Sequence, residues 1–222
     1  MRQRFRIMGF VALAAAGAVG TSACGLLPEE EMEDDTKVSE KIVSVRLDTE
    51  SGDITLRGEK DAPGVSLHRE IEYSGEKPGA SHSVQDGVLT LKGCGEDCEV
   101  SYTVDLPAGL PVSGSTSHGD ITLRAMGTTD VSTSNGDVKA DGLTGRSLRA
   151  ESSNGSLDLS TAVPQDIRVN SSNGDVTVHP AKGPYRVEAS TSNGDKTLKV
   201  PDEKKAPHLL DLSSSNGDIT VE

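Results

Sequence analysis

The sequence predicts an all-β fold, a parallel β-solenoid whose rungs run about 17–23 residues. Three observations predict it. A glycine corner recurs at a steady period. Apolar residues alternate on both flanks of that corner. The connection between one rung and the next varies freely, while the corner does not.

The corners stand at Gly52, Gly119, Gly136, Gly155, Gly174, Gly194 and Gly217, and from Gly119 onward they lie 17, 19, 19, 20 and 23 residues apart. Thr133-Ser134-Asn135-Gly136-Asp137-Val138 is typical of the surrounding motif. Two and four residues after the glycine come apolar pairs such as Ile121 and Leu123, or Val176 and Val178. Seven and five before it come Leu148 and Ala150, or Ile167 and Val169. Alternation with period two is the mark of a strand with one buried face. Glycine supplies the positive φ the corner needs, and the preceding Asn tolerates it nearly as well. In a solenoid, Asn135, Asn154, Asn173, Asn193 and Asn216 then stack as a ladder at ~4.8 Å spacing. Lys196 stands where Ile or Val is expected, so that rung should be frayed. Asn-Gly between alternating strands is also a hairpin signal, which makes an antiparallel meander or sandwich the alternative. The constant corner and the varied other connection, compact at Asp141–Gly145 and long at Pro201–Pro207, favour the solenoid.

Residues 38–110 are less regular, with strand-like runs at Ile42–Leu47, Val65–Tyr73, Val88–Leu91 and Val100–Leu106. They are expected to begin the stack and shut its N-terminal end, and residues 111–222 to form the regular repeats. Cys94 and Cys98 are separated only by Gly95-Glu96-Asp97. In an oxidising compartment they would form a disulfide closing a tight turn; as a zinc site they are half a ligand set with no His nearby. Ile219-Thr220-Val221-Glu222 ends the chain inside a rung without a polar cap, which predicts an open edge and a route to self-association.

At the other end, Arg2, Arg4 and Arg6 precede an apolar run over 7–19 and the small residues Gly20-Thr21-Ser22-Ala23. The run is too short to cross a ~30 Å bilayer core comfortably and reads as a signal peptide, residues 1–23. Ser22-Ala23-Cys24 resembles a bacterial lipobox, with Thr21 where Leu is usual; the resemblance implies a lipid on Cys24 and a membrane anchor. Ordinary cleavage after Ala23, leaving a free thiol, is the rival reading. The acidic block Glu29–Asp35 is expected to belong to a solvated tether over 24–37.

The chain has 22 Lys and Arg against 35 Asp and Glu. Loss of 1–23 leaves 19 bases and a mature net charge of −16. Such a protein repels phosphate backbones and anionic lipid heads, so no nucleic-acid partner is expected. Only Tyr73, Tyr102 and Tyr185 remain as aromatic faces, too few for stacking platforms. No HExxH spacing, nucleophile elbow, Walker loop or dinucleotide fingerprint is present. The five histidines are scattered; His118 alone replaces a ladder Asn. Catalytic residues, cofactor and enzymatic activity are therefore not expected. The aspartates after the corners, Asp120, Asp137, Asp175, Asp195 and Asp218, with Asp53 below them, fall out of phase with the core. Stacked, they could take Ca²⁺ between rungs, or each could cap its own corner's backbone amides.

The seven corners, with Val104-Asp105-Leu106-Pro107-Ala108-Gly109-Leu110, resemble the bacterial putative-adhesin domain family, built on repeated Ser-x-x-Gly-Asp-Val/Ile segments. The resemblance covers most of residues 40–222. It implies the repetitive β fold of an exported protein, and the tether, the missing catalytic groups and the extended surface point to a non-catalytic, adhesin-like interaction module at the cell envelope, facing another envelope or extracellular protein. A self-assembling surface protein is the alternative, and a polysaccharide-acting enzyme on a β-helix ranks below both.

Overall fold

The computed structural model describes residues 29–222; the signal segment 1–23 and Cys24 lie outside the described residues. Every described element is a strand. The first seven are β1 (Glu29–Val38), β2 (Ser44–Asp48), β3 (Ile54–Glu59), β4 (Val65–Ser74), β5 (His82–Gln85), β6 (Val88–Lys92) and β7 (Cys98–Pro107). Then strands come in pairs, each pair one rung folded about one corner. These are β8 (Val112–His118) with β9 (Ile121–Arg124), β10 (Thr129–Asn135) with β11 (Val138–Leu143), and β12 (Ser147–Asn154) with β13 (Leu157–Thr161). They continue as β14 (Asp166–Asn173) with β15 (Val176–His179), β16 (Tyr185–Asn193) with β17 (Lys196–Leu198), and β18 (His208–Asn216) with β19 (Ile219–Val221).

The strands form two facing sheets, in the orders β1-β4-β7-β3-β9-β11-β13-β15-β19-β17 and β16-β18-β14-β12-β10-β8-β2-β6-β5. All rung-to-rung pairings are parallel and keep the corners in register, as in Asn135↔Asn154 and Asn154↔Asn173. The fold is thus the expected parallel solenoid. Antiparallel pairing is confined to the N-terminal end, where β4 closes on β7, β1 on β4, and β5 on β6.

The core lies between the sheets and is filled by the alternating residues. In the rung of β14 and β15, Ile167, Val169, Val176 and Val178 are each at most 1% exposed, and such side chains contribute about 1.5–3 kcal/mol apiece. Tyr102 and Tyr185 are the largest side chains fully enclosed.

Two expectations are corrected. The acidic block is a strand, not a free tether: β1 pairs with β4 along its whole length, Glu29↔Ser74 to Val38↔Val65. Its inner face carries Met32, Asp34, Thr36 and Val38 while Glu31, Glu33 and Asp35 face solvent. Alternation hides beneath the charge, because Asp34 is answered by the buried Arg69 of β4.

The second correction concerns the C-terminus. β19 lies between β15 and β17, and β18 between β14 and β16. The last rung in sequence is therefore inserted beneath the one before it, and the open end of the stack is the rung of β16 and β17. Burial explains the order. Leu210, Leu212, Ile219 and Val221 are fully enclosed, whereas Lys196, Thr197 and Leu198 are all exposed. An unpaired ammonium is costly inside, so the Lys196 rung takes the end. The connecting segment folds over part of that end: the Glu203 N–H donates to the Tyr185 carbonyl, and Asp202 accepts from the Val187 N–H.

Candidate interaction face

The corner motif is a set of four columns. Three residues before the corner glycine, a Ser or Thr hydroxyl donates to the glycine carbonyl of the rung below in five rungs: Thr133 to Gly119 at 3.3 Å, Ser152 to Gly136, Ser171 to Gly155 and Ser214 to Gly174, each at 3.0 Å, and Thr191 to Gly217 at 2.9 Å. The Thr116 hydroxyl goes instead to the His118 carbonyl at 2.9 Å. One residue before the glycine, the Asn amide donates to the Asn below: Asn154 to Asn135 at 3.0 Å, Asn173 to Asn154 at 3.1 Å, and Asn216 to Asn173 and Asn193 to Asn216 at 2.9 Å. The glycine itself is required by close approach. A Cβ on Gly136 would fall on the Gly119 carbonyl oxygen, and its φ is +155°. Gly155 takes its place in the same stack without a positive φ, so packing against the rung below is the common requirement. The Asn residues do not adopt positive φ; their part is the ladder.

The aspartates bond from rung to rung. Each accepts the backbone N–H of its counterpart one rung up, at 2.8 Å: Asp53 from Asp120, Asp120 from Asp137, Asp137 from Ser156, Asp175 from Asp218 and Asp218 from Asp195. A carboxylate so engaged is held by a charge-assisted bond between rungs. Among the described residues, no group of three or more His, Cys, Asp or Glu is placed to hold a metal ion, and the donor set does not fit a calcium site.

The ladder starts on a different base. Cys94 and Cys98 are disulfide-bonded, with Cα atoms 5.7 Å apart, and they close the corner between β6 and β7. Where that loop replaces a glycine corner, the buried Thr49 hydroxyl has no partner among the described residues. His118 stacks on Asn135 in register, but the Asn135 amide goes to the Ser117 carbonyl at 3.4 Å. The ladder bonding thus begins at Asn135, and His118 stands at its foot. It faces a cleft of about 690 Å³ with Glu29, Glu50, Glu72, Glu96 and Glu99 on its walls.

Outward from the corner run two polar columns. Two residues before each glycine from Gly119 onward stands a serine: Ser117, Ser134, Ser153, Ser172, Ser192 and Ser215. Four before it stand Ser115, Ser132, Glu151, Asn170, Ser190 and Ser213. Those on β8, β10, β12 and β14 line a shallow groove of about 310 Å³. Hydroxyl, amide and carboxylate groups repeat here at the strand spacing, and no rung brings a nucleophile, a base and an acid together.

Nucleophile-type groups converge at one buried place, which the sequence did not disclose. Arg69 binds Asp34 through Nε at 2.9 Å and also through its second nitrogen, and reaches the Ser81 hydroxyl at 2.8 Å. The Tyr102 hydroxyl lies 2.6 Å from both Ser81 oxygens and 2.7 Å from the Lys92 carbonyl. Arg69 holds the Asp34 carboxyl below the usual carboxylate range, while burial pushes the Tyr102 hydroxyl up. Burial, then the Arg69 charge, lowers His82. Ser81 is 2% exposed, so the cluster is a clamp joining β1, β4, β7 and the 79–81 segment. The one signal for it was a tyrosine in the buried phase of a strand.

Solved structures similar to this chain include a putative cell adhesion protein from Clostridium sporogenes, 13% identical, with a TM-score of 0.48 over 86% of this chain and 99% of that one. A putative adhesin from Bacteroides fragilis is 16% identical, with a TM-score of 0.49 over 87% and 97%. No curated protein matches the chain. The family described as Toastrack DUF4097 matches residues 108–222, the stretch that holds the regular rungs and their four columns, and the chain belongs to that family.

Proposed function

We propose that the protein is a non-catalytic, adhesin-like interaction module, exported and held on the extracytoplasmic side of the membrane by a lipid on Cys24. The observation that carries this reading is the outer corner face. The same polar groups recur there rung after rung, with Ser two before the corner glycine in all six rungs from Gly119 to Gly217. A surface of identical groups at fixed spacing suits many weak contacts made at once, where linkage multiplies modest affinities. Its partner is an envelope or extracellular protein whose contact surface is basic or rich in hydrogen-bonding groups, since the chain is acidic overall and the face is rich in hydroxyls.

Surface attachment of cells tests the proposal. Cells carrying the chain, cells lacking it and cells with Cys24→Ala are compared, together with the intact mass of the membrane-bound protein. Loss of attachment in both altered strains, release of the Cys24→Ala protein into the medium, and an acylated mass beginning at Cys24 are the expected results. Unchanged attachment without the chain overturns the adhesin-like role, and an unacylated mass overturns the anchor.

A further inference from the structure

Five Asn-Gly pairs share one sequence context, at Asn135, Asn154, Asn173, Asn193 and Asn216. Asn-Gly is the dipeptide most open to intramolecular attack by the following backbone nitrogen on the side-chain amide, because glycine leaves that nitrogen unhindered. The solenoid holds four of the five apart from this reaction. The N–H of Gly136 donates to the Asn154 carbonyl, Gly155 to Asn173, Gly174 to Asn216 and Gly217 to Asn193, all at 2.9–3.0 Å. The side-chain oxygen of each of those four asparagines also accepts the amide of the next Asn in the stack. Nucleophile and electrophile are both tied to the rung above.

Asn193 and Gly194 have no rung above them. Among the described residues, no acceptor meets the Gly194 N–H and no donor meets the Asn193 side-chain oxygen. Exposure does not separate the five, since every ladder Asn is exposed. Position in the stack does.

We propose that Asn193-Gly194 is a site of spontaneous succinimide formation, set apart from its four sequence equivalents by the inverted order of the last two rungs. The Gly194 nitrogen bonds to Asn193 Cγ, the Cγ–Nδ2 bond breaks, and the proton lost from Gly194 leaves with the ammonia. Water then opens the imide at either carbonyl to give aspartate or isoaspartate, so the net change is NH₂ replaced by OH. The product loses the amide donation from Asn193 to Asn216 at 2.9 Å and places a new carboxylate beside Asp195 and Asp218. The open end of the solenoid therefore loosens as the protein ages, while the four inner ladder members stay intact.

The test is peptide mass analysis of the folded full-length chain incubated in warm, mildly alkaline buffer, with a denatured sample alongside. Denatured chains react at all five pairs. Folded chains are expected to react at Asn193 about tenfold or more faster than at any other pair, since the inner pairs must first open locally. Asn193→Gln, which keeps an amide but disfavours the larger ring, is expected to remove the signal. Asn216 reacting first would mean that rungs stack in sequence order and would overturn the proposal. So would equal rates at all five in the folded chain, or no reaction there while denatured chains react.

Discussion

Neighbouring serines in one strand have opposite parts, and that is the sharpest consequence at the scale of single residues. Ser171 is 1% exposed and gives its hydroxyl to the Gly155 carbonyl at 3.0 Å, whereas Ser172 points outward into the polar groove. Replacing a buried donor leaves its acceptor unsatisfied at a cost of about 1–3 kcal/mol, and an exposed replacement away from such a bond stays within about 0.5 kcal/mol. Ser171→Ala is therefore expected to lower the urea midpoint clearly, and Ser172→Ala to leave it in place. Equal effects would deny that the position three before the glycine is the structural hydroxyl. At this scale the sequence was legible in kind and illegible in wiring. The motif said that Ser, Asn, Gly and Asp stack, because each recurs at one phase. It could not say that Asp137 reaches up to the Ser156 amide instead of capping its own corner, since both uses need the same residue at the same place.

Two elements at the N-terminal end depend on conditions. β1 is held to β4 by Asp34 on Arg69, by His68 on Asp35 at 2.9 Å, and by Tyr73 on Glu30 at 2.9 Å. Asp34 titrates lower in the folded chain, through its bond to Arg69. Its contribution is complete above the ordinary carboxylate value near ~4 and is lost as pH falls through the folded one. His68 titrates higher, chiefly through Asp35 and then Glu70, against some desolvation. Its contribution is complete below the ordinary histidine value near ~6.5 and is lost as pH rises through the folded one. Hydrogen-exchange protection of β1, corrected for intrinsic rates, should peak between about pH 4 and 6.5 and decline on both sides. Flat protection across that range would assign β1 to backbone pairing alone. The corner closed by Cys94 and Cys98 spans a sequence separation of 4. So short a loop predicts a stabilisation of only about 2 kcal/mol from restricting the unfolded chain. Cys94→Ala with Cys98→Ala should keep the fold and lose roughly that much in denaturant unfolding; failure to fold would make the staple obligatory. Composition concealed β1 because its outward Glu and Asp outnumber its inward apolar residues, and Arg69, its buried counter-charge, lies 35 residues away.

The order of rungs is a property of the whole molecule, invisible in any single rung. Each corner offers the same bonds above and below, so the ladder chemistry permits the last two rungs to stack in either order. What decides is one residue in each: Lys196 has no place between two rungs, and Ile219, at the equivalent position, is fully buried. The sequence shows Lys196 as a break in the pattern, but chain order alone sets that break inside the stack, where it predicts only fraying. Cross-linking separates the two arrangements. Ser213 pairs in register with Asn170 on one side and with Ser190 on the other, and its hydroxyl already lies 2.9 Å from the Asn170 side chain. Adjacent strands put Cα atoms about 4.8 Å apart, within disulfide reach, while strands two apart lie near 9.6 Å, beyond it. With Cys94 and Cys98 replaced by Ala, the pair Asn170→Cys with Ser213→Cys should oxidise readily to one cross-linked species. The pair Asn170→Cys with Ser190→Cys should not, because the rung of β18 and β19 separates them. Cross-linking of the second pair and not the first would restore sequence order, and with it an open edge at the C-terminus. The expected result fixes the open edge at β16 and β17, where Lys196 and the 199–207 segment oppose the addition of another strand, and leaves the outer corner face as the long surface free to meet a partner.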